Sequence, residues 1–120
     1  MGYGLHITRR AHWSDEHGPE ISAEEWVAYA ATDPELEITG AAEAVSPQGE
    51  TIRMASPGLT RWVQGGETAG WLSFQRGSLS ANNPSDDFVI KMHRISVALG
   101  AKLEGDEGEL YDAAGRMIRR

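Results

Sequence analysis

Tyr3, Leu5 and Ile7 alternate with Gly4, His6 and Thr8, the period-two pattern of a half-buried strand, which predicts a first strand within residues 1–10 that can sit at the centre of a sheet. Arg10 to Pro19 breaks the alternation with Ser14, Asp15, Gly18 and Pro19 around Trp13, a loop pinned by an aromatic ring. Ser22 and Glu25 have the capping-box spacing, with Ile21 placed to staple to Trp26. A helix over 22–33 follows, with Ala23, Trp26, Val27 and Ala30 on its apolar face and Glu24, Glu25, Tyr29 and Thr32 away from it. Asp33-Pro34 ends it, because proline disfavours the helical conformation in the residue before it.

Residues 36–81 form a strand-rich middle of short extended segments divided by Gly40, Pro47 to Gly49, Ser56 to Gly58 and Gly65-Gly66. Within it, Gly70 to Ala81 around Arg76-Gly77 is the best hairpin, with Trp71 and Phe74 before the turn and Leu79 after it. Asn83 to Asp87 supplies a capping side chain, a proline for the first turn and two carboxylates for the positive end of the dipole, so a second helix spans 84–99. Phe88, Met92, Ile95 and Leu99 make its core stripe, and Gly100 stands where a left-handed cap is wanted. Ile90 and Val97 fall on nearly the opposite side, which allows a second contact there. Residues 101–111 close the chain as a hairpin, Asp112 to Arg116 is a further turn, and the basic tail of Arg116, Arg119 and Arg120 is expected to fray. The sum is one α+β domain, an antiparallel or mixed sheet with two helices packed on it.

Composition sharpens this outline. The chain has 120 residues, no cysteine and a net charge of -7. Disulfides and thiolate chemistry are therefore excluded, and a reducing cytoplasm is the expected setting. No signal-peptide core or membrane-length apolar run is present, and the acidic balance argues against nucleic acid or anionic lipid as partner. The acid is also concentrated. Residues 11–52 hold ten carboxylates and no Lys or Arg. Such a run either keeps a surface solvated or steers a basic partner, which nearby aromatic rings then anchor.

Motifs for catalysis are missing. His12 to His17 gathers two imidazoles, Asp15 and Glu16, but not in the zinc-helix spacing, so a polar loop is preferred to a metal site and no cofactor is expected. Gly77-Ser78-Leu79-Ser80 is not a nucleophile elbow, and neither glycine-rich nucleotide pattern occurs. Among the tryptophans, Trp26 and Trp71 are most simply core, whereas Trp13 and Trp62, in or beside loops, can anchor an interface.

Both ends of the chain carry a resemblance. Tyr3 to Arg9, Trp13, Glu20-Ile21-Ser22, Ala98 to Ala101 and Gly105 to Tyr111 look like the corresponding stretches of small bacterial proteins that resemble immunity proteins of polymorphic-toxin systems. That resemblance implies a small acidic cytoplasmic protein that is not an enzyme and acts by occluding a toxin. The expected partner is a basic cognate toxin domain. The expected contact residues, from the acidic run and its aromatics, are Trp13, Asp15, Glu16, Glu20, Glu24, Glu25, Tyr29, Asp33 and Trp62. Two alternatives stay open: a small metal-dependent or other enzyme using the His12 to His17 loop, and a homodimeric module joined through the Ile90 and Val97 side or a sheet edge.

Overall fold

A computed structural model describes residues 3–38, 43–45, 51–53 and 59–119. The elements are β1 (Gly4–Thr8), α1 (Ala23–Thr32), β2 (Leu36–Ile38), β3 (Glu43–Val45), β4 (Thr51–Arg53), β5 (Leu59–Gln64), β6 (Glu67–Gln75), β7 (Ser78–Asn82), α2 (Asp86–Ala98), β8 (Lys102–Gly105), β9 (Leu110–Tyr111) and β10 (Met117–Arg119). Eight strands form one sheet in the order β10-β9-β8-β1-β7-β6-β5-β2, with every pairing antiparallel, and β3 pairs with β4 apart from it. This is the expected α+β architecture, with the sheet antiparallel throughout.

Alternation along the strands assigns the two faces. Leu5, Ile7, Thr60, Trp62, Leu72, Phe74, Leu79, Ala81 and Leu103 turn inward and are buried. Both helices cover that face: Trp26 and Ala30 of α1 join the same core as Phe88, Met92, Ile95 and Leu99 of α2. The residues between them, His6, Leu59, Arg61, Trp71, Ser73 and Ser80, lie on the outer face, which carries no helix.

Local chemistry sets the ends of each element. Ser22 accepts from the Glu25 N–H while the Glu25 carboxylate accepts from the Ser22 N–H, so the capping box is complete. Helix α2 begins two residues later than the sequence suggests, because Ser85 rather than Asn83 is its cap. Asn83 instead takes a left-handed conformation and accepts from the Tyr3 N–H. The far end of α2 closes with Gly100 at φ 64°, its N–H donating to Val97 and that of Ala101 to Ser96. Arg76 and Gly77, both at positive φ, make the two-residue turn of the β6–β7 hairpin. Beyond Tyr111 the chain turns at Asp112 to Gly115 as expected, but Met117–Arg119, instead of fraying, returns as β10 against β9. That turn brings Gly115 close to Ile90, so part of the second apolar side of α2 is covered from within the chain. The Pro47 to Glu50 and Ser56 to Gly58 turns read from the sequence lie outside the described residues.

Candidate interaction surface

The acidic run is divided by the sheet. After β1 the chain crosses the outer face as a loop, rounds the β6–β7 turn, where the Ile21 N–H donates to Gly77, and enters α1 on the helix face. Trp13, Asp15 and Glu16 therefore lie on one side of the sheet, and Glu24, Glu25, Tyr29 and Asp33 on the other. Glu20 stands at the crossing, its side chain against Gly77.

Five carboxylates of the run, Glu20, Glu25, Asp33, Glu35 and Glu37, have cationic partners from outside it. Arg9 forks onto both oxygens of Glu25, at 2.9 and 2.7 Å, and also donates to the Glu20 and Leu99 carbonyls. One guanidinium thus ties the end of β1 to the start of α1 and the end of α2, and it holds the Glu25 carboxyl down at about 2. Arg10, buried, donates to Glu20 Oε2 at 2.8 Å and to the Asp15 and Arg76 carbonyls. Lys91 of α2 is only 7% exposed and lies 2.7 Å from Asp33 Oδ2 and 2.8 Å from Glu35 Oε1. Burial pushes Asp33 up, but Lys91 and the Glu35 N–H outweigh it and leave the carboxyl below its usual value. Tyr29 donates to the same Asp33, and burial together with that carboxylate raises the phenol. Glu37 pairs with Arg61. Glu16 and Glu24, both exposed, have no ion pair among the described residues, and the Asp15 carboxylate accepts only from the His12 N–H.

On the outer face the loop is fastened over β1 and β8. The Trp13 indole lies parallel to the His6 ring with centroids 3.9 Å apart. Its backbone N–H donates to Glu104 Oε1 at 2.6 Å and its indole N–H to the Asp106 carbonyl at 3.1 Å. Beneath it, His6 Nε2 is 2.7 Å from Asp106 Oδ1, whose other oxygen accepts from the Gly4 N–H. Burial raises the Asp106 carboxyl, yet His6 and Gly4 together hold it below the usual carboxylate range. Trp13 covers one face of the imidazole, and the His6–Asp106 pair supports the loop from beneath. His12 engages Ser14 at 2.6 Å, His17 is exposed, and no group of three metal-ligating side chains comes together among the described residues.

Beside the loop lies an open groove of about 1060 Å³, lined among others by His6, Trp13, Asp15, Glu16, Ser73 and Ser80. At Leu59, Ser73 and Ser80 it adjoins a smaller cavity lined by Trp71, which is 48% exposed. The two middle tryptophans are therefore exchanged relative to expectation. Trp62, expected beside a loop as contact area, is 3% exposed: its position in β5 turns the ring inward onto Phe88, centroids 5.0 Å apart, and its N–H donates to Glu35. Trp71, expected in the core, is outward because Leu72 and Phe74 on the same strand point inward. The signal for this was present: Trp71 and Phe74 are three residues apart and cannot share a face of a strand. No family model, curated protein or solved structure matches this chain.

Proposed function

We propose that this protein is a non-enzymatic, immunity-like binding protein that captures and masks a basic cognate toxin domain in the cytoplasm. The observation that carries the reading is the outer sheet face: eight strands, helices on one side only, and on the other a groove lined by Asp15 and Glu16, with the exposed Trp71 beside the cavity that adjoins it. Carboxylates with no ion pair among the described residues steer a cationic partner, and an exposed tryptophan on the same face supplies apolar contact once it arrives. The fastened Trp13 loop makes that groove a preformed surface, so little ordering entropy is lost on binding. No helix among the described residues is long and apolar enough to cross a membrane.

The test is co-expression with the toxin domain encoded by a neighbouring reading frame. Restored growth and a stable complex of the two purified chains are expected. Binding without protection, or protection that survives conversion of both Trp71→Ala and Glu16→Lys, would remove the masking mechanism from this face.

A further inference from the structure

The sheet is split. β6 and β7 pair only from Ser73↔Ser80 to Gln75↔Ser78. Beyond that, β7 continues with β1 through Ala81 and Asn82, while β6 stays with β5 back to Glu67. Between the diverging strands is a cavity of about 380 Å³, walled by Gly70 and Trp71 on one side and by Ala81 and Asn82 on the other, with the Phe88 ring also lining it.

Backbone alternation decides which groups face this gap. The pair flanking a two-residue hairpin turn exchanges both of its hydrogen bonds, so Gln75 and, two residues back, Ser73 direct theirs to β7. Trp71 is next in the same alternation. Its N–H and C=O point to the same side, where β7 has already turned away, while Gly70 and Leu72 serve β5. Trp71 is thus an unpaired edge position inside the sheet; the edge is interrupted at Ala69, a bulge where the β5 register shifts between Trp62 and Val63, and Glu67, opposite Gln64 at the Gly65-Gly66 turn, serves β5 again. Glu67, Thr68, Ala69 and Trp71 are all exposed. Outer edges of sheets are commonly guarded by shortness or by charge, and β2 and β10 are three residues each. The inner edge has no lysine or proline, and the bulge at Ala69 limits its open part to the Trp71 end. What charge there is near it is negative: Glu67 at one end, and Asp86 and Asp87 just past the Ser85 cap that lines the cavity, none with an ion pair among the described residues. Arg61, across the ladder from Trp71, is engaged by Glu37 and Thr68.

We infer that the split receives an extended peptide segment of a basic protein, which pairs with β6 at Trp71 beside the cavity and passes over the bulge at Ala69 toward Glu67. An apolar side chain of the segment fills the cavity against Phe88 and Trp71, and its flanking Lys or Arg residues face Glu67, Asp86 and Asp87. Main-chain bonds to the edge give affinity, and the cavity and acidic rim give selectivity. The inference rests on the capture reading for the identity of the partner, and on the strand edge alone for the mode of binding.

The experiment uses the whole chain, isotope-labelled, and a capped seven-residue peptide of alternating Lys and Val, with a Glu/Val peptide as its charge control. Saturable binding of the Lys/Val peptide is expected to slow exchange of the Trp71 amide hydrogen by about tenfold or more, and the Glu/Val peptide to bind about tenfold more weakly. Trp71→Pro removes the N–H that faces the gap while leaving the β5 side of the strand its bonds, and should weaken the peptide by about tenfold. If that variant does not fold, N-methylation of the edge-facing amides of the peptide removes the same bonds from the other partner and should have the same effect. No saturable binding, binding that leaves the Trp71 amide unprotected, or equal binding of the N-methylated peptide overturns strand addition. A toxin captured normally by Trp71→Pro would end this inference and remove Trp71 from the proposed contact, while leaving capture of the toxin itself standing; amide protection by the peptide with no toxin captured would do the reverse.

Discussion

Lys91 Nζ lies 2.7 Å from Asp33 Oδ2, so the carboxylate that ends α1 is neutralised by a buried cation from the middle of α2. With Glu35 2.8 Å from the same nitrogen, the triad joins the two helices and the start of β2. Removing one member leaves the others without compensation in a site where both Asp33 and Lys91 side chains are about a tenth exposed. Lys91→Met should destabilise the fold by about 3–5 kcal/mol, measured by urea unfolding, because the carboxylate left behind is still buried. A loss below about 1 kcal/mol would mean that the triad is solvated in solution.

The same geometry fixes the response to acid. Asp33, Glu35 and Glu25 are all held below their ordinary values of 3.8, 4.5 and 4.5, by Lys91 for the first two against the opposing burial, and by Arg9 for the third. A carboxyl depressed in the folded chain contributes stability that is complete above its unfolded value and fades as the pH falls through its folded one. Unfolding midpoints should therefore be flat from neutrality to about pH 5 and fall steadily below about pH 4, toward the value of about 2 for Glu25. Lys91 is shifted the other way: burial lowers it, its two carboxylates outweigh that, and its contribution is lost only above its ordinary 10.5. In Lys91→Met the acid slope should be shallower, since Asp33 and Glu35 then lose the cation that depresses them. An unchanged slope in that variant would show that other carboxylates govern the acid limb.

Trp13 lies flat on His6 and is held there by bonds to Glu104 and Asp106, four residues that meet only in the folded chain. Trp13→Ala removes the stack and the indole bond, and should cost at least about 1 kcal/mol. Its clearer signature is local. Backbone amides of residues 11–17 should exchange faster while those of β1 and β8 stay protected, because the loop is fastened to the sheet but is not part of its ladder. Equal acceleration in β1 would mean that the loop is a cooperative part of the core.

How much of this was legible in the chain follows the range of the physics involved. Ser22, Glu25, Gly100 and Arg76-Gly77 act within a few residues, and the helix ends and the hairpin they predict are where the structure has them. The α2 stripe is likewise local and is buried as its spacing requires. Partnerships across the chain were not legible. The acidic run looked free of cations because Arg9, Arg10, Arg61 and Lys91 reach it only through the fold, and five of its carboxylates are engaged by them. The tail was misread because β10 has no companion until β9 is placed beside it. Trp62 and Trp71 were misassigned although strand alternation on each side of them distinguishes inward from outward. The split in the sheet had no local trace, since it depends on where β7 leaves β6 for β1.

Gly70 meets the face of Phe88 so closely that a Cβ there would fall 2.5 Å from the ring. Gly70→Ala must push Phe88 off its stack with Trp62, and overpacking of this kind should cost about 1–3 kcal/mol in thermal or urea unfolding. The cost is steric, so it should shrink when Phe88→Leu is present. A double-mutant cycle with no coupling between the two positions would rule out the contact as its cause.

The division of the acidic run separates carboxylates that hold the fold from those that remain for a partner. Glu16 is exposed and has no ion pair among the described residues, whereas Glu25 forks with Arg9 and caps α1. Glu16→Lys should therefore leave the unfolding midpoint within about 0.5 kcal/mol of the parent, while Glu25→Lys lowers it by breaking both the fork and the capping box. Against a basic toxin domain the order reverses. Glu16→Lys changes the rim by two charge units, which should slow association by a factor on the order of 3 to 10 at low salt and by little at high salt, with dissociation nearly unchanged. Stopped-flow association at several ionic strengths measures this directly. A rate independent of both salt and the Glu16 charge would mean that the partner approaches from elsewhere, and the α1 side, where Glu24 also has no ion pair among the described residues, becomes the surface to alter next.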